Sequence, residues 1–244
     1  MARRPLSLVA LLGAAHGAGC VSPPDAAPGT TAASLEPLAP LEQRLLAART
    51  VRIRARVASG GPVASHFEGT LVLGEGQRAR LDMQGDLGSR PTDLSLVCDG
   101  TTMRGGSKEH PFELPAPPAL RETLVVTFVR MGLLHDLALL AEGRAPAHVD
   151  GTVRSWIEAA GVRSAAGEPV RGQPTTEWTW QLVVHGGSTS EEHVWMDAST
   201  VLPARRRLVV HFPEGDMPVG EEYEEVTLDA PVDPAVFAVV TGAP

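Results

Sequence analysis

Two groups of side chains in this 244-residue chain have the types and spacing that chemistry would use. His193 and Asp197 stand four residues apart in a segment with strand-like alternation, which puts them on one face, and His211 falls in the next such segment. An imidazole beside a carboxylate can act as an acid–base pair, and a third ligand would make a metal group. The second group is Glu221, Glu222, Glu224 and Glu225 around Tyr223, with Arg205, Arg206 and Arg207 one segment earlier. Pairing across adjacent strands would contribute a few tenths of a kcal/mol per contact. The acidic run reads either as a solvated strand face or as a docking patch for a protein partner. Neither group sits in a recognised signature. H-E-x-x-H, C-x-x-C, G-x-S-x-G, a phosphate loop and a dinucleotide fingerprint are all missing from the sequence. We therefore assign no catalytic residue, no metal and no cofactor.

The two cysteines divide cleanly. Cys98 ends the apolar run LSLVC, the setting of a buried structural thiol. Cys20 ends MARRPLSLVALLGAAHGAGC, where Arg3 and Arg4 give a positive start and Leu6 to Ala15 an apolar run. That run is too short to cross a bilayer, which takes about 20 residues. Residues 1–19 read as a signal peptide, removed on export. Small residues running up to a cysteine resemble the bacterial lipobox, whose thiol takes a diacylglycerol. Gly17 stands where that motif usually has Leu, and the alternative is an ordinary secretory peptide cleaved between Ala15 and Cys20. On the lipobox reading Cys20 is the lipidation site and the first mature residue. Its acyl chains would hold the protein to a membrane at about 0.8 kcal/mol per buried methylene. Val21 after the cysteine, where Asp would direct retention, favours the outer membrane.

Without residues 1–19 the chain keeps 19 Lys+Arg (21 less Arg3 and Arg4) against 29 Asp+Glu, a net charge of −10. An acidic chain whose sole lysine is Lys108 has no cation cluster for nucleic acid. Residues 20–40, rich in Pro, Ala, Ser and Thr, read as a tether. Leucines at 41, 45 and 46 predict a short helix. VRIRARV then alternates Val51, Ile53, Ala55 and Val57 with Arg52, Arg54 and Arg56, a half-buried strand. FEGTLVL, RARLDMQ and DLSLVCDGTTMRGG add strands, the last turning at Asp99-Gly100. Prolines at 111, 115, 117 and 118 break the pattern. Residues 119–143 predict a helical stretch divided at Gly132, and VRSWIEAAG a short helix or turn. WTWQLVVH, HVWMD, RRLVVHF, EEYEEVTL and VFAVV read as strands. The order is helix, about five strands, helical insertion, about five strands, which is an α+β architecture with segregated helices.

Over residues 41–240 this order resembles the LolA/LolB-like lipoprotein carriers and receptors and the related outer-membrane lipoprotein-sorting domains. Four segments carry the resemblance. LEQRLLAARTVRIRARV runs a helix into a strand, and FEGTLVLGEGQRARLDMQG leads to the Asp-Gly turn of LVCDGTTM. GEPVRGQPTTEWTWQLVV enters the second half of the chain. VWMDASTVLPARRRLVV supplies Trp195, Asp197, Thr200, Leu202, Pro203 and Arg205 of the W-x-D-x-x-T-x-L-P-x-R strand-turn-strand. The resemblance implies a strongly curved antiparallel half-barrel of about ten strands closed by helices, residues 41–244, with a hydrophobic concave face that receives acyl chains. It also implies that Asp197 begins a turn.

Alternation collects Phe67, Leu71, Leu81, Met83, Leu96, Trp178, Trp180 and Leu182 on one side of the strands, with Phe128, Met131 and Leu134 of the insertion above them. These are the candidate cavity residues, and the same set would equally form a closed core. The function expected is a non-enzymatic, lipid-anchored envelope lipoprotein that binds a lipid or the acyl chains of another lipoprotein. The alternative is a sensor or scaffold that binds an envelope protein through its acidic strand face and has no ligand cavity.

Overall fold

A computed structural model describes residues 37–146, 153–184 and 189–239, so the stretch read as a signal peptide, Cys20 and nearly all of the stretch read as a tether lie outside the described residues. In chain order the elements are α1 (Ala39–Ala47), β1 (Val51–Ser59), β2 (Ser65–Leu73), β3 (Arg78–Leu87), β4 (Arg90–Asp99), β5 (Thr102–Gly106) and β6 (Pro111–Pro115). Then follow α2 (Leu120–Arg130), α3 (Leu134–Ala141), β7 (Ile157–Val170), β8 (Gln173–Val184), β9 (Thr189–Asp197), β10 (Pro203–Phe212) and β11 (Gly215–Leu228). All eleven strands form one antiparallel sheet in the order β6-β5-β4-β3-β2-β1-β11-β10-β9-β8-β7. The first and last strands meet in its middle, Val51 opposite Leu228. The sheet does not close, and β6 and β7 are its edges.

β1 follows its sequence. Val51, Ile53, Ala55 and Val57 are buried on the inner face, while Arg52, Arg54 and Arg56 are exposed on the outer one. Helix α1 starts at Ala39, and Leu38 before it is 1% exposed, so the folded region begins inside the stretch read as tether. The insertion divides at Gly132 as expected, into α2 and α3. Three segments differ from the sequence reading. β6 is a strand flanked by the prolines that argued against one, because an edge strand needs donors on one side only. VRSWIEAAG holds only a 3-10 turn at Val153–Ser155 before β7 begins. VFAVV is no strand in its described part, Val236 to Val239, since Pro234–Phe237 forms a 3-10 turn started by Asp233, which accepts from Ala235 N at 2.9 Å. Both edges are blunted against further pairing. Prolines do this in β6, and bulges at Ala160/Arg163 and Gly167/Val170 do it in β7.

Curvature follows from what the helices touch. The α2–α3 unit packs on β5 near one end of the sheet and on β7 at the other. Laid flat, the nine strand spacings between them would measure about 43 Å at about 4.8 Å each. Helices of 11 and 8 residues, end to end, reach only about 29 Å at 1.5 Å per residue. The sheet must therefore wrap around the helices. Gly69 and Gly85 sit where β2 and β3 press together, as a Cβ on either would come within 2.0 Å of a carbonyl oxygen of the other strand.

The W-x-D-x-x-T-x-L-P-x-R residues build the β9–β10 corner. Asp197 Oδ1 accepts from the amides of Ser199 (3.0 Å) and Thr200 (2.8 Å) and from both hydroxyls, at 2.6 and 3.0 Å. Its own amide donates to Leu202 O at 2.9 Å, and Val201 takes the left-handed conformation with φ 52°. Pro203 starts β10. Arg205 crosses to Glu222 at 2.7 Å and Glu168 at 2.6 Å and lies over the ring of Trp195. The Ser199 hydroxyl and the Thr200 amide hold the Asp197 carboxyl down at about 2. This places its contribution above the unfolded value of about 3.9, and it is lost as pH falls toward about 2. Asp197→Ala should cost about 1 kcal/mol at neutral pH, the loss typical of a capping side chain. In urea titrations the gap to wild type should close between pH 5 and pH 2.

Candidate functional site

Helix α2 is buried on every side, with Leu120, Leu124, Val125, Val126, Phe128 and Val129 all at most 1% exposed. A helix of that kind lies within a core, not on it. Its last turn has carbonyls that no residue of the helix can satisfy. Arg206 of β10, fully buried, supplies the donors. Its Nη2 reaches Phe128 O at 2.9 Å and Val129 O at 2.7 Å, and its Nη1 reaches Arg130 O at 3.1 Å. The guanidinium is paired with the buried Glu192 of β9, donates from Nε to Tyr223 Oη at 3.2 Å and lies 5.5 Å from the centre of the Trp180 ring. Burial pushes the Glu192 carboxyl up to about 7, with Arg206 pulling the other way.

The mirror arrangement holds α3. Glu221 of β11 is 1% exposed, and its Oε1 accepts from the amides of Leu133 (2.8 Å) and Leu134 (3.0 Å). Oε2 accepts from Leu133 N at 3.0 Å and from the Tyr223 hydroxyl. A carboxylate at a helix start satisfies free amides and complements the helix dipole. Burial nevertheless raises this carboxyl above its ordinary range, against the pull of Arg206. Gly132 joins the two helices with φ 86°, and a Cβ there would stand 2.5 Å from both Glu221 oxygens. Only glycine fits the joint. The far end of α2 is tied down by Arg121, which donates to the carbonyls of Gly74, Leu45 and Ala48, and burial lowers its pKa. Arg130 binds Glu42 of α1 at 2.6 Å, with Arg154 on the same carboxylate.

Beneath the α2–α3 joint lies a cavity of about 30 Å³ lined by Met131, Leu134, Leu182, Leu208, Val210 and Met217, with Ser190 among them. An apolar cavity of about 150 Å³ is what admits a benzene-sized guest, so this one is closed down. Of the eleven candidate cavity residues, Met131, Leu134 and Leu182 line it. Phe67, Leu71, Leu81, Met83, Leu96, Phe128 and Trp180 are packed in the continuous core, each 1% exposed, and Trp178 and Met131 are half-buried against it. Cys98 is buried in the same core, as expected.

The histidine group does not assemble. His193 lies opposite Arg207 and bonds Glu177 at 2.8 Å, while His211 lies opposite Asp216 and bonds it at 2.7 Å. Asp197 is engaged in its turn. Among the described residues no three His, Cys, Asp or Glu side chains stand close enough to hold a metal ion. The acidic run is not a single solvated face. Glu221 points inward, Glu222 pairs with Arg205, and Glu224 pairs with Arg54 at 3.1 Å and also with Arg56. Arg205 does pair across the strands as expected, and Arg206 turns into the core. The sequence reading placed Arg206 and Glu221 in a charged strand face and passed over Glu192, although all three are buried and alternation marks their inward side. Arg206 shares its side of β10 with Leu208 and Val210, and Glu221 shares its side of β11 with Met217, Val219 and Tyr223.

Arg206→Met should destabilise the protein by about 3–5 kcal/mol, because it leaves Glu192 buried without its cation. The Arg206→Met/Glu192→Leu double variant should recover part of that loss and no more, since the α2 carbonyls stay unpaired. Urea unfolding of wild type and the two variants measures both.

No protein-family model matches the chain, and a search of curated proteins finds no match. Among solved structures the chain is similar to a putative outer membrane lipoprotein-sorting protein domain from Vibrio parahaemolyticus, with 8% identity over 82% of this chain and 94% of that one and a TM-score of 0.33. It is similar to a LolA superfamily protein from Nitrosomonas europaea, with 8% identity over 82% and 97% and a TM-score of 0.31. It is also similar to a chain of the Pseudomonas aeruginosa MucA/MucB complex, with 16% identity over 81% and 59% and a TM-score of 0.38.

Proposed function

We propose that this chain is a LolA/LolB-like lipoprotein of the bacterial cell envelope that takes an apolar ligand, a lipid or the acyl chains of another lipoprotein, under its α2–α3 cover. The observation that carries the reading is the construction of that cover. A two-helix unit inserted between the halves of a curved sheet sits on its apolar inner face, and an apolar cavity lies at its glycine joint. Met131 and Met217 both line that cavity, and unbranched thioethers adapt to guests of different shape. The cavity as it stands is too small for an acyl chain, so binding requires the cover to lift. Burial of about 14 methylenes at about 0.8 kcal/mol each would return roughly 11 kcal/mol toward the helix–sheet packing that lifting disrupts.

The ordered motifs from Leu41 onward support the same reading, as does Cys20 at the end of a signal-like leader. In this account acyl groups on Cys20 anchor the mature chain in the outer membrane, facing the periplasm, and residues 21–36 space the domain from it. No helix among the described residues is long and apolar enough to cross a membrane. The domain needs no metal or cofactor for this role, and burial of the ligand is the whole mechanism.

Two measurements test it. Cys20→Ala should move the protein from the membrane fraction to the soluble fraction, and a protein that stays in the membrane refutes the anchor. The soluble variant, purified without detergent, should carry a lipid or lipopeptide mass in native mass spectrometry. It should also show quenching of Trp178 and Trp180 fluorescence on addition of fatty acid. A clean apo mass with unchanged fluorescence would mean that the interior is a filled core and would overturn the reading.

A further inference from the structure

Helix α3 carries a carboxyl that its docked position does not accommodate as a charge. Asp136, in the first turn, is 1% exposed. Its Oδ2 accepts from Thr127 Oγ1 of α2 at 3.0 Å, and its Oδ1 has no hydrogen-bond partner. The charge of Glu221 on β11 acts against it; this second buried carboxyl has its oxygens already occupied by the amides of Leu133 and Leu134 and the Tyr223 hydroxyl. The cation of that cluster, Arg206, is taken up by Glu192, Tyr223 and the α2 carbonyls. β4 and β5 also pack on α3, and their inward side chains are Leu94, Leu96, Cys98 and Met103. Of these only the Cys98 thiol titrates, and burial raises its pKa. On α3 itself His135 packs its ring 5.4 Å from Trp156, and on α2 Arg130 is bound to Glu42. Among the described residues no cation is bonded to Asp136 or to Glu221.

We propose that Asp136 is a proton switch for the α2–α3 cover: while its carboxyl is neutral α3 stays docked, and loss of the proton to water releases α3 and opens the cavity beneath Met131 and Leu134. The use of that opening rests on the ligand-binding function proposed above; the switch itself rests on a buried Asp136 carboxyl that has one bond, from Thr127, and one oxygen without a partner. Burial raises the Asp136 carboxyl to about 8, with the Thr127 hydroxyl opposing and Glu221 adding to the rise. The docked state therefore keeps a proton that the released state, with an ordinary value of about 3.9, gives up. Docking weakens steadily as pH rises between these two values and weakens no further above about 8. Glu192 titrates upward in the same direction, but through Arg206 it faces the end of α2, not α3.

The test uses the Cys20→Ala chain and N-phenyl-1-naphthylamine, an uncharged apolar dye whose fluorescence rises on burial, from pH 5 to pH 9.5. In wild-type background, dye binding should increase at least fivefold with pH and level off near pH 8, with the far-UV signal of the sheet unchanged. Asp136→Asn, which keeps the shape without the charge, should stay near the low-pH level throughout. Thr127→Val removes the one bond that favours the ionised carboxyl, so its plateau should move to higher pH. This second variant also decides the matter should Asp136→Asn fail to fold. Dye bound equally at every pH would overturn the switch and leave the ligand reading standing. No dye bound at any pH would overturn both. A rise that survives in Asp136→Asn, a plateau unmoved in Thr127→Val, or loss of the sheet signal along with the rise would each overturn the assignment to Asp136 and α3.

Discussion

Everything in this domain depends on how a curved sheet holds the two ends of a helical joint. Arg206 donates to the last carbonyls of α2, and Glu221 accepts from the first amides of α3, with the Tyr223 hydroxyl between them. The interaction is directional, which apolar packing is not. Leucine and valine would let the helices slide on the inner face, whereas capping bonds fix where one helix must stop and the next begin. Gly132 belongs to the same constraint, because the Glu221 carboxyl fills the space a side chain would need. The sheet's curvature in turn brings β10 and β11 to the joint while β4 and β5 reach the other side of α3.

Such a device is costly and specific. Each buried ion loses its water, and replacing such pairs with apolar residues is often neutral or stabilising. A chain that needed only a stable core would gain little by placing Arg206, Glu192 and Glu221 inside it. Their presence fits a cover that must occupy one position yet leave it. On the proposed ligand-binding role, apolar packing beneath the joint would re-form around a guest, and the polar bonds would define the closed state to which the cover returns.

Much of this was legible in the residues, and the exceptions have physical causes. Strict alternation gave β1 its two faces, and the glycine split gave two helices where the sequence placed them. β6 was hidden because proline is read as a breaker, while an edge strand tolerates it. β7 was hidden because its middle is exposed and bulged, so no hydrophobic period runs through it. Helix α2 contains the β-branched run Val125, Val126 and Thr127, and burial on all sides overrides that local preference. The site was the least legible part. Charged residues are read as surface, so Arg206 and Glu221 merged with neighbours that truly are exposed, such as Arg207. Strand parity separates them, but only once inward and outward sides are known. Trp195 and Asp197, by contrast, announce themselves as a motif and turn out to build a corner.

The central seam of the sheet has a consequence for how the chain reaches this state. β1 pairs on that side with β11, and across the same seam the Arg49 amide bonds Asp229, 180 residues away. Pairings between distant parts of a chain carry a large loop-closure cost and slow folding relative to local ones. A chain threaded across a membrane from its N-terminus would expose β1, together with an unmatched row of backbone groups, until β11 emerged. During that interval the half-sheet would present an open inner edge at β1.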